Sequence, residues 1–393
     1  MLDFVYLLTE PGITLETSPV LSAQIIDRIR VQRSKGLSIG VVTAVSDQAA
    51  FDERVAPVLR ETGTPFIGVR STLFPARLTK MALATRKMVR NHGARLVYVR
   101  DLWSSLTHKI AFPLRGPDLV YDMRGDLLAE ARLRGRAGLK LWTLTRLTSM
   151  AIRHAHQYAG VSSYTAELLR TEYGARDVTV IPSCVDINSY RQPASEREAI
   201  RRELGISPDE VLVVYAGGTH RYQMIPEMLR VWEQMAENEQ IRFLLLTHET
   251  ERSSGLESEL PESRLIRMSV DRDRVAAYLA ASDVGFLLRT SHPLNRSASP
   301  IKFGEYLASG LSVISSPGLG DISRLIEEND VGVLVETGNS EAAAQVSTRH
   351  IEALRASNTS DADRSRALAR THFDWAAHVP AWNSMLARAD RSS

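Results

Sequence analysis

The chain has 393 residues, 44% of them apolar and 24% charged, a globular composition with room for two cores of about 150–200 residues each. Its single cysteine, Cys184, excludes a disulfide framework and a cysteine-based zinc cage, and its longest apolar runs fall well short of the roughly 20 residues of a spanning helix. The net charge of +2 conceals an asymmetry: residues 1–187 carry 25 Lys/Arg against 17 Asp/Glu, and residues 188–393 carry 23 against 29.

The first eight residues place an acid, Asp3, where a secretory leader carries basic residues. They read as a strand, and with the lone cysteine they point to a cytoplasmic chain. β-rich runs at 4–8, 38–45, 66–69, 96–99, 119–121, 158–161 and 178–181 alternate with helix-length amphipathic segments. The spacing predicts the first crossover helix over Ser22 to Lys35, with Ile25, Ile26 and Ile29 on one face and Gly36 as its stop. From Arg70 to Arg100 there are eight basic residues and no acid, and from Ala131 to Ala166 six basic residues and again no acid. Leu78, Met81, Leu83, Met88 and Val89 recur at helical spacing beside Lys80, Arg86, Lys87 and Arg90. That pattern suits a crossover helix on a sheet and equally a peripheral contact with an anionic membrane face. No aromatic platform interleaves with these charges, which argues against nucleic acid as a partner.

A polar, proline-containing break over 182–202 separates this series from a second one, at 211–215, 242–246, 264–268, 284–288, 312–314 and 331–335. Strand–helix alternation repeated twice predicts an α/β chain of two Rossmann-like doubly wound domains, 1–187 and 188–373. Open sheets of this kind bind ligands outside the carboxyl ends of their strands, so a central cleft faced by both domains is the expected site. The tail from Trp375 to Arg388 is helical, with Trp375, Val379, Trp382 and Leu386 on roughly one face.

Several motifs fail on context. Gly36-Leu37-Ser38-Ile39-Gly40 fits a nucleophile elbow, but its serine opens a strand instead of following one. Asp271-Arg272-Asp273 fits an acidic metal pair, yet it opens a helix, where a capping aspartate is expected. There is no P-loop, no G-x-G-x-x-G after the first strand and no histidine pair at ligand spacing, so no metal and no cofactor are expected.

The informative run is 287–335. A strand ends near Leu288, a polar loop covers Arg289–Ser299, and a helix is expected to begin at Pro300 behind Ser299 as its cap and to end at Gly310. A helix start presents unpaired N–H groups and a positive dipole end, a ready site for phosphate. Arg289 and Lys302 add charge-assisted donors, Ile301 lies between the turn and the lysine, and Glu305 is placed to accept from two ribose hydroxyls.

Pro300, Lys302, Glu305, Tyr306, Leu307, Ala308, Gly310, Val313 and Ile314 resemble the donor-binding run of GT-B glycosyltransferases of the retaining family four. Gly318-Leu319-Gly320-Asp321 resembles the glycine-rich turn that follows. Val214–Gly218 with Arg221 resembles the first strand–loop–helix of that family's second domain, where glycines admit the diphosphate and a basic residue neutralises it. Val161–Ser163, 180–186 and the tyrosine–aspartate turn at Tyr121–Gly125 resemble parts of its first domain, the last as in polysaccharide-biosynthesis members. The tail around Trp375 resembles the closing helix, 374–393, that crosses back to the first domain. Three positions depart from the pattern. Ser297 stands where the first of two glutamates is expected, Gln223 where the diphosphate lysine is expected, and the first-domain histidine has no counterpart, leaving Asp122 or Arg124 in that region.

The resemblance implies a metal-independent hexosyltransferase that moves sugar from a UDP- or GDP-linked donor to a saccharide or lipid-linked saccharide. The donor residues would be Gly217, Gly218, Arg221, Arg289, Ser299, Pro300, Ile301, Lys302 and Glu305, with Asp122 and Arg124 as the catalytic pair. Base contacts are expected from loops near 247–250 and at Met268, Ser269 and Val270. A non-catalytic nucleotide-sugar-binding scaffold and a sugar-nucleotide epimerase on the same fold are the alternatives. Location is expected to be cytoplasmic, with the inner membrane face as the place of any peripheral contact.

Overall fold

The computed structural model describes residues 1–70, 74–248, 258–290, 292–356 and 361–392. The first seven strands are β1 (Leu2–Leu8), β2 (Ile39–Val45), β3 (Phe66–Arg70), β4 (Ala94–Val99), β5 (Asp118–Met123), β6 (Gln157–Gly160) and β7 (Val178–Val180). The next six are β8 (Val211–Ala216), β9 (Ile241–Leu246), β10 (Leu265–Met268), β11 (Val284–Leu287), β12 (Ser312–Ser315) and β13 (Gly332–Leu334). Helices relevant to function in the first part of the chain are α1 (Arg28–Ser34), α2 (Phe74–His92), α3 (Leu102–Ala111), α4 (Leu127–Leu133) and α5 (Gly138–Arg153). Those further on are α6 (Ile225–Met235), α7 (Arg272–Ala281), α8 (Ile301–Ser309) and α9 (Val379–Ser392). Among the described residues no helix is long and apolar enough to cross a membrane.

The chain divides into two compact units, Met1–Val185 with Trp375–Ser393, and Asp186–Asp374. In the first, seven parallel strands run in the order β3-β2-β1-β4-β5-β6-β7, so the winding direction reverses between β1 and β4. In the second, six parallel strands run β10-β9-β8-β11-β12-β13 and reverse between β8 and β11. Both sheets carry helices on their two faces, which is why β2 and β8 are buried at every residue and read as continuous apolar runs.

The first crossover is less regular than its periodicity predicts. An α-turn at Pro19–Ser22 widens into a π-helical turn at Ala23–Asp27 before α1. Ile25, Ile26 and Ile29 are buried as expected, and so are Arg28 and Gln32. Gly36 ends the segment at φ +83°, where a Cβ would be strained. The tail opens with a 3-10 turn at Trp375–His378, tied to the first unit by the Trp375 N–H donating to the Val185 carbonyl at 3.3 Å. Trp382, Met385 and Leu386, at i, i+3 and i+4 on α9, then enter the core beside β1 and β4. The apolar stripe of α2 does the same: Met81 and Met88 are buried against the sheet, and only Leu83 of the five predicted residues is exposed.

Candidate functional site

In the second unit the site residues gather where the sheet reverses. β8 delivers Gly217 and Gly218, β11 delivers Arg289, and α8 begins beside them. Gly285 on β11 lets this happen: a Cβ there would overlap the ring of Tyr306, which is fully buried against the strand. The Tyr306 hydroxyl accepts from the Ala216 N–H at 3.1 Å, locking the helix to the end of β8.

Lys302 is the centre of the arrangement. It is 8% exposed, and its ammonium donates to Tyr215 Oη at 2.5 Å and to Gln223 Oε1 at 3.0 Å. It also lies 4.0 Å from the Tyr215 ring centroid. Burial, with Arg289 nearby, holds the ammonium well below its ordinary range, and Glu305 opposes this. Gln223, which replaces an expected lysine, is therefore the acceptor for a lysine arriving from another helix. Gly217, at φ +140°, is what makes room, since a Cβ there would overlap Lys302 Cε and Nζ. Gly218 contributes its carbonyl, which accepts from Tyr215 Oη at 2.6 Å.

Arg289 is also buried, at 7% exposure. Its N–H donates to Ser316 Oγ at 2.8 Å, and the same hydroxyl donates back to its carbonyl at 2.9 Å. The guanidinium lies 4.8 Å from the Tyr222 ring centroid, and Tyr222 stacks on His220 with centroids 5.6 Å apart. Burial lowers the Arg289 pKa, opposed by the neighbouring tyrosines. Arg221, in the 3-10 turn Arg221–Gln223, is exposed. Met224 follows in the left-handed region at φ 52°, a strained conformation for a side-chain-bearing residue that turns the chain into α6.

The start of α8 differs from expectation by one residue. Pro300, at φ −60° and ψ 124°, occupies the cap position and makes no side-chain cap bond, while the helix begins at Ile301. Proline has a fixed φ but here an extended ψ, so it leads into the helix instead of forming its first turn. Ser299 precedes it, partly exposed, and is not the cap. Glu305, one turn in, accepts from the Tyr190 hydroxyl at 2.8 Å. Ser297 is fully buried and its hydroxyl donates to the Leu294 carbonyl at 2.8 Å. Asp271 takes the cap position of α7, which begins at Arg272, but its side chain makes no cap bond. Met268, Ser269 and Val270 leave the end of β10, where Ser269 Oγ and His248 Nδ1 are hydrogen-bonded at 2.8 Å. Of the other base-contact loop, residues 249 and 250 lie outside the described residues, as does Ser291 of the loop after β11.

In the first unit, Asp122 lies near the end of β5 and Arg124 just after it. The Asp122 side chain is 1% exposed and pairs with Arg124 at 3.5 Å and with Arg28 at 4.0 Å. Arg124 also donates to the Ile181 carbonyl and to Ser183 Oγ, each at 3.0 Å. The Arg28 guanidinium lies among four aromatic rings, with centroids at 4.2 Å for Tyr98, 5.1 Å for Trp382, 5.2 Å for Tyr6 and 5.6 Å for Trp375. Arg100 donates to Gln24 Oε1, and burial together with nearby Arg124 lowers its pKa to about 10. Glu10 follows β1, and burial, with Asp101 adding to it, pushes its carboxyl up to about 7.

Sequence reasoning missed Arg28, Arg100, Tyr190, Tyr215 and Ser316. Arg28 lies three residues after Ile25 on the buried side of the crossover, but a charged residue there reads as solvated. The others act through long-range contacts that have no local pattern.

A family model described as "Glycosyltransferase Family 4" matches residues 23–189, and one described as "Glycosyl transferases group 1" matches residues 210–352. No curated protein matches the sequence. Among solved structures, the chain is similar to sucrose-phosphate synthase from Thermosynechococcus elongatus, at 15% identity, TM-score 0.75 and full coverage of both chains. It is similar to Anabaena HepE in complex with UDP and glucose, at 18% identity and TM-score 0.70, again over all of both chains. It is also similar to WaaG, a glycosyltransferase involved in lipopolysaccharide biosynthesis, at 15% identity and TM-score 0.65, covering 98% of this chain and 99% of that one. Two parallel-sheet Rossmann-like units, with a family-four match on the first and a group 1 match on the second, identify the chain as a member of the GT-B glycosyltransferases.

Proposed function

We propose that the chain transfers a hexosyl group from a nucleotide sugar to a saccharide or lipid-linked saccharide, with retention at the anomeric carbon, in the synthesis of cell-surface polysaccharide or glycoconjugate. The observation that carries this reading is Lys302. A buried ammonium whose two hydrogen bonds go to neutral groups, beside a helix start and a second buried cation, is costly to maintain without an anion to meet. A nucleoside diphosphate supplies that anion. The complexes of Anabaena HepE with UDP and with UDP-glucose support a donor of this class.

In this reading the free N–H groups of the first turn of α8 receive diphosphate oxygens. Lys302, Arg289 and the exposed Arg221 stabilise the charge that develops on the leaving group, so the mechanism invokes no metal. Gly217 and Gly218 admit the diphosphate close to the backbone, and Glu305, already an acceptor toward Tyr190, takes the ribose hydroxyls. Met268, Ser269 and Val270 flank the base. Asp122 orients Arg124 by their ion pair, and the two are the proposed catalytic pair. The reaction is proposed for the cytoplasmic face of the membrane.

The test is thermal stabilisation by UDP, GDP and ADP, followed by slow hydrolysis of the matching sugar donors. One nucleotide should stabilise the protein, and its sugar should be consumed. Full transfer activity in both Lys302→Ala and Glu305→Ala would overturn the assignment of the site. A non-catalytic nucleotide-sugar binder is the second reading, motivated by buried Ser297 in place of a carboxylate, and it predicts stabilisation with no hydrolysis of any donor.

A further inference from the structure

The surface of the first unit carries apolar side chains that its core does not explain. α2, α3 and α5 form one helical layer, α2 packed on α3 and α3 on α5. The inner residues of α5, Leu144, Thr148, Ala151 and Ile152, are buried, so the helix is docked on the unit. Its outer face nevertheless presents Leu139 at 76% exposure and Trp142 at 57%, and the last residue of α4, Leu133, is 56% exposed. Around them stand Arg132, Arg134, Arg136 and Lys140, all exposed, in a run of residues 131–166 that contains no acid. Of these only Arg134 is engaged by a carboxylate, Glu130 at 2.5 Å within α4, among the described residues. Arg146 covers the Trp142 ring from 5.4 Å, adding a further cation to the same face.

A groove on the same layer repeats the combination. It lies between α2 and the segment after α3, has a volume of about 710 Å³, and is lined by Arg86, Lys87, Arg90 and Arg115 with Leu83 and Leu114. Leu83 is 58% and Leu114 94% exposed.

We propose that this layer docks on an anionic bilayer, with Leu133, Leu139 and Trp142 entering the interface and the arginines of the α4–α5 loop meeting lipid phosphates. Charge selects this occupant. Isolated exposed apolar residues occur on any protein, but leucines and a tryptophan interleaved with a clear excess of cations, Glu130 being the one acid paired among them, match the interfacial composition of an anionic membrane. A protein partner covering the same residues would have to bring its own acidic patch. The α2 stripe that the sequence offers for this role is spent on the core at Met81 and Met88, so the docking element is the α4–α5 loop instead. α4 leaves the sheet shortly after Arg124 and leads into this loop, so docking brings a lipid-linked acceptor to the first unit. This last step rests on the proposed transfer; the docking itself does not.

The experiment uses the full-length protein with vesicles of phosphatidylcholine alone or mixed with phosphatidylglycerol, at low and high salt. Co-sedimentation with the mixed vesicles alone, lost at high salt, is expected, with a blue shift of tryptophan emission that Trp142→Phe removes. Each cation near the surface contributes about 5-fold, so neutralising Arg132, Arg134 and Arg136 together to Gln should weaken binding on the order of 100-fold. Leu139→Ser with Trp142→Ser should abolish it while leaving circular dichroism and donor hydrolysis unchanged. No sedimentation with the mixed vesicles at low salt overturns the proposal. So does binding that survives in the Leu139/Trp142 variant, or a wild-type dimer in sedimentation velocity that the same variant dissociates. Absence of donor hydrolysis in wild type and variants alike, with sedimentation as expected, would instead count against the donor site.

Discussion

Replacing Lys302 by methionine separates the two costs that the second unit balances. The ammonium is buried, so removing it relieves the desolvation of a charge, an effect that makes apolar replacements of buried ionic groups neutral to about 1–4 kcal/mol stabilising. Against this, Gln223 Oε1 loses its donor, which costs about 1–3 kcal/mol, whereas Tyr215 keeps its hydrogen bond to the Gly218 carbonyl. The two effects offset to within about 1 kcal/mol, so the unliganded variant is expected to melt within about 2–4 °C of wild type. Nucleotide affinity should fall. One or more charge-assisted hydrogen bonds to the diphosphate, about 1.5–3 kcal/mol, correspond to a loss of about 10- to 100-fold. The pH dependence has a sign that can be checked. Burial keeps the folded-state pKa of Lys302 well below its ordinary value of 10.5, so the unfolded chain holds the proton to higher pH. Stability should then rise with pH between the folded value and 10.5, and Lys302→Met should lack that rise. Differential scanning fluorimetry with and without UDP or GDP measures both effects. A variant that melts well below wild type and retains the full nucleotide shift would show that the ammonium is a structural group, and the reasoning would fail.

Glu305→Gln should lower nucleotide affinity about 10- to 100-fold while leaving inorganic pyrophosphate binding unchanged, since the carboxylate is assigned to the ribose. Equal losses for both ligands in calorimetry would mean damage to the helix start. Arg28→Met leaves the Asp122 carboxylate buried with Arg124, its nearer partner, still in place among the described residues, and should cost about 1–3 kcal/mol in urea unfolding, less than for a fully unpaired buried charge. Adding Asp122→Asn should recover much of this, and equal losses in the single and double variants would assign the effect to packing of the four rings. Burial, with Asp101, pushes Glu10 up to about 7, so the folded state holds a proton that the unfolded chain releases near 4.5. Stability should therefore fall as pH rises from 4.5 to 7 and Glu10→Gln should flatten the profile; identical slopes for wild type and variant would refute the burial of this carboxyl.

The sequence by itself determined the elements and their class. All thirteen strand runs appear as strands, because strands covered on both faces must be apolar throughout and that pattern is local. The helix ending at Gly310 was legible for the same reason, since its left-handed cap is a one-residue signal. Lys302 and Glu305 stood out because a lysine and a glutamate at the start of a helix behind a strand form a short motif. Tertiary structure decided what those residues meet. Gln223 as the acceptor for Lys302, Tyr190 on Glu305 and Ser316 clamping Arg289 are contacts across 79, 115 and 27 residues, with no periodicity to announce them. Arg28 shows the limit most clearly. A charged residue in a crossover helix reads as solvated, and only the convergence of β1, β4 and the returning tail puts four aromatic rings around it. The converse holds for α5. Its basic, apolar sequence was visible, but whether Leu139 and Trp142 fill the core or face outward depends on which side of the helix the sheet takes, and that is settled by packing alone.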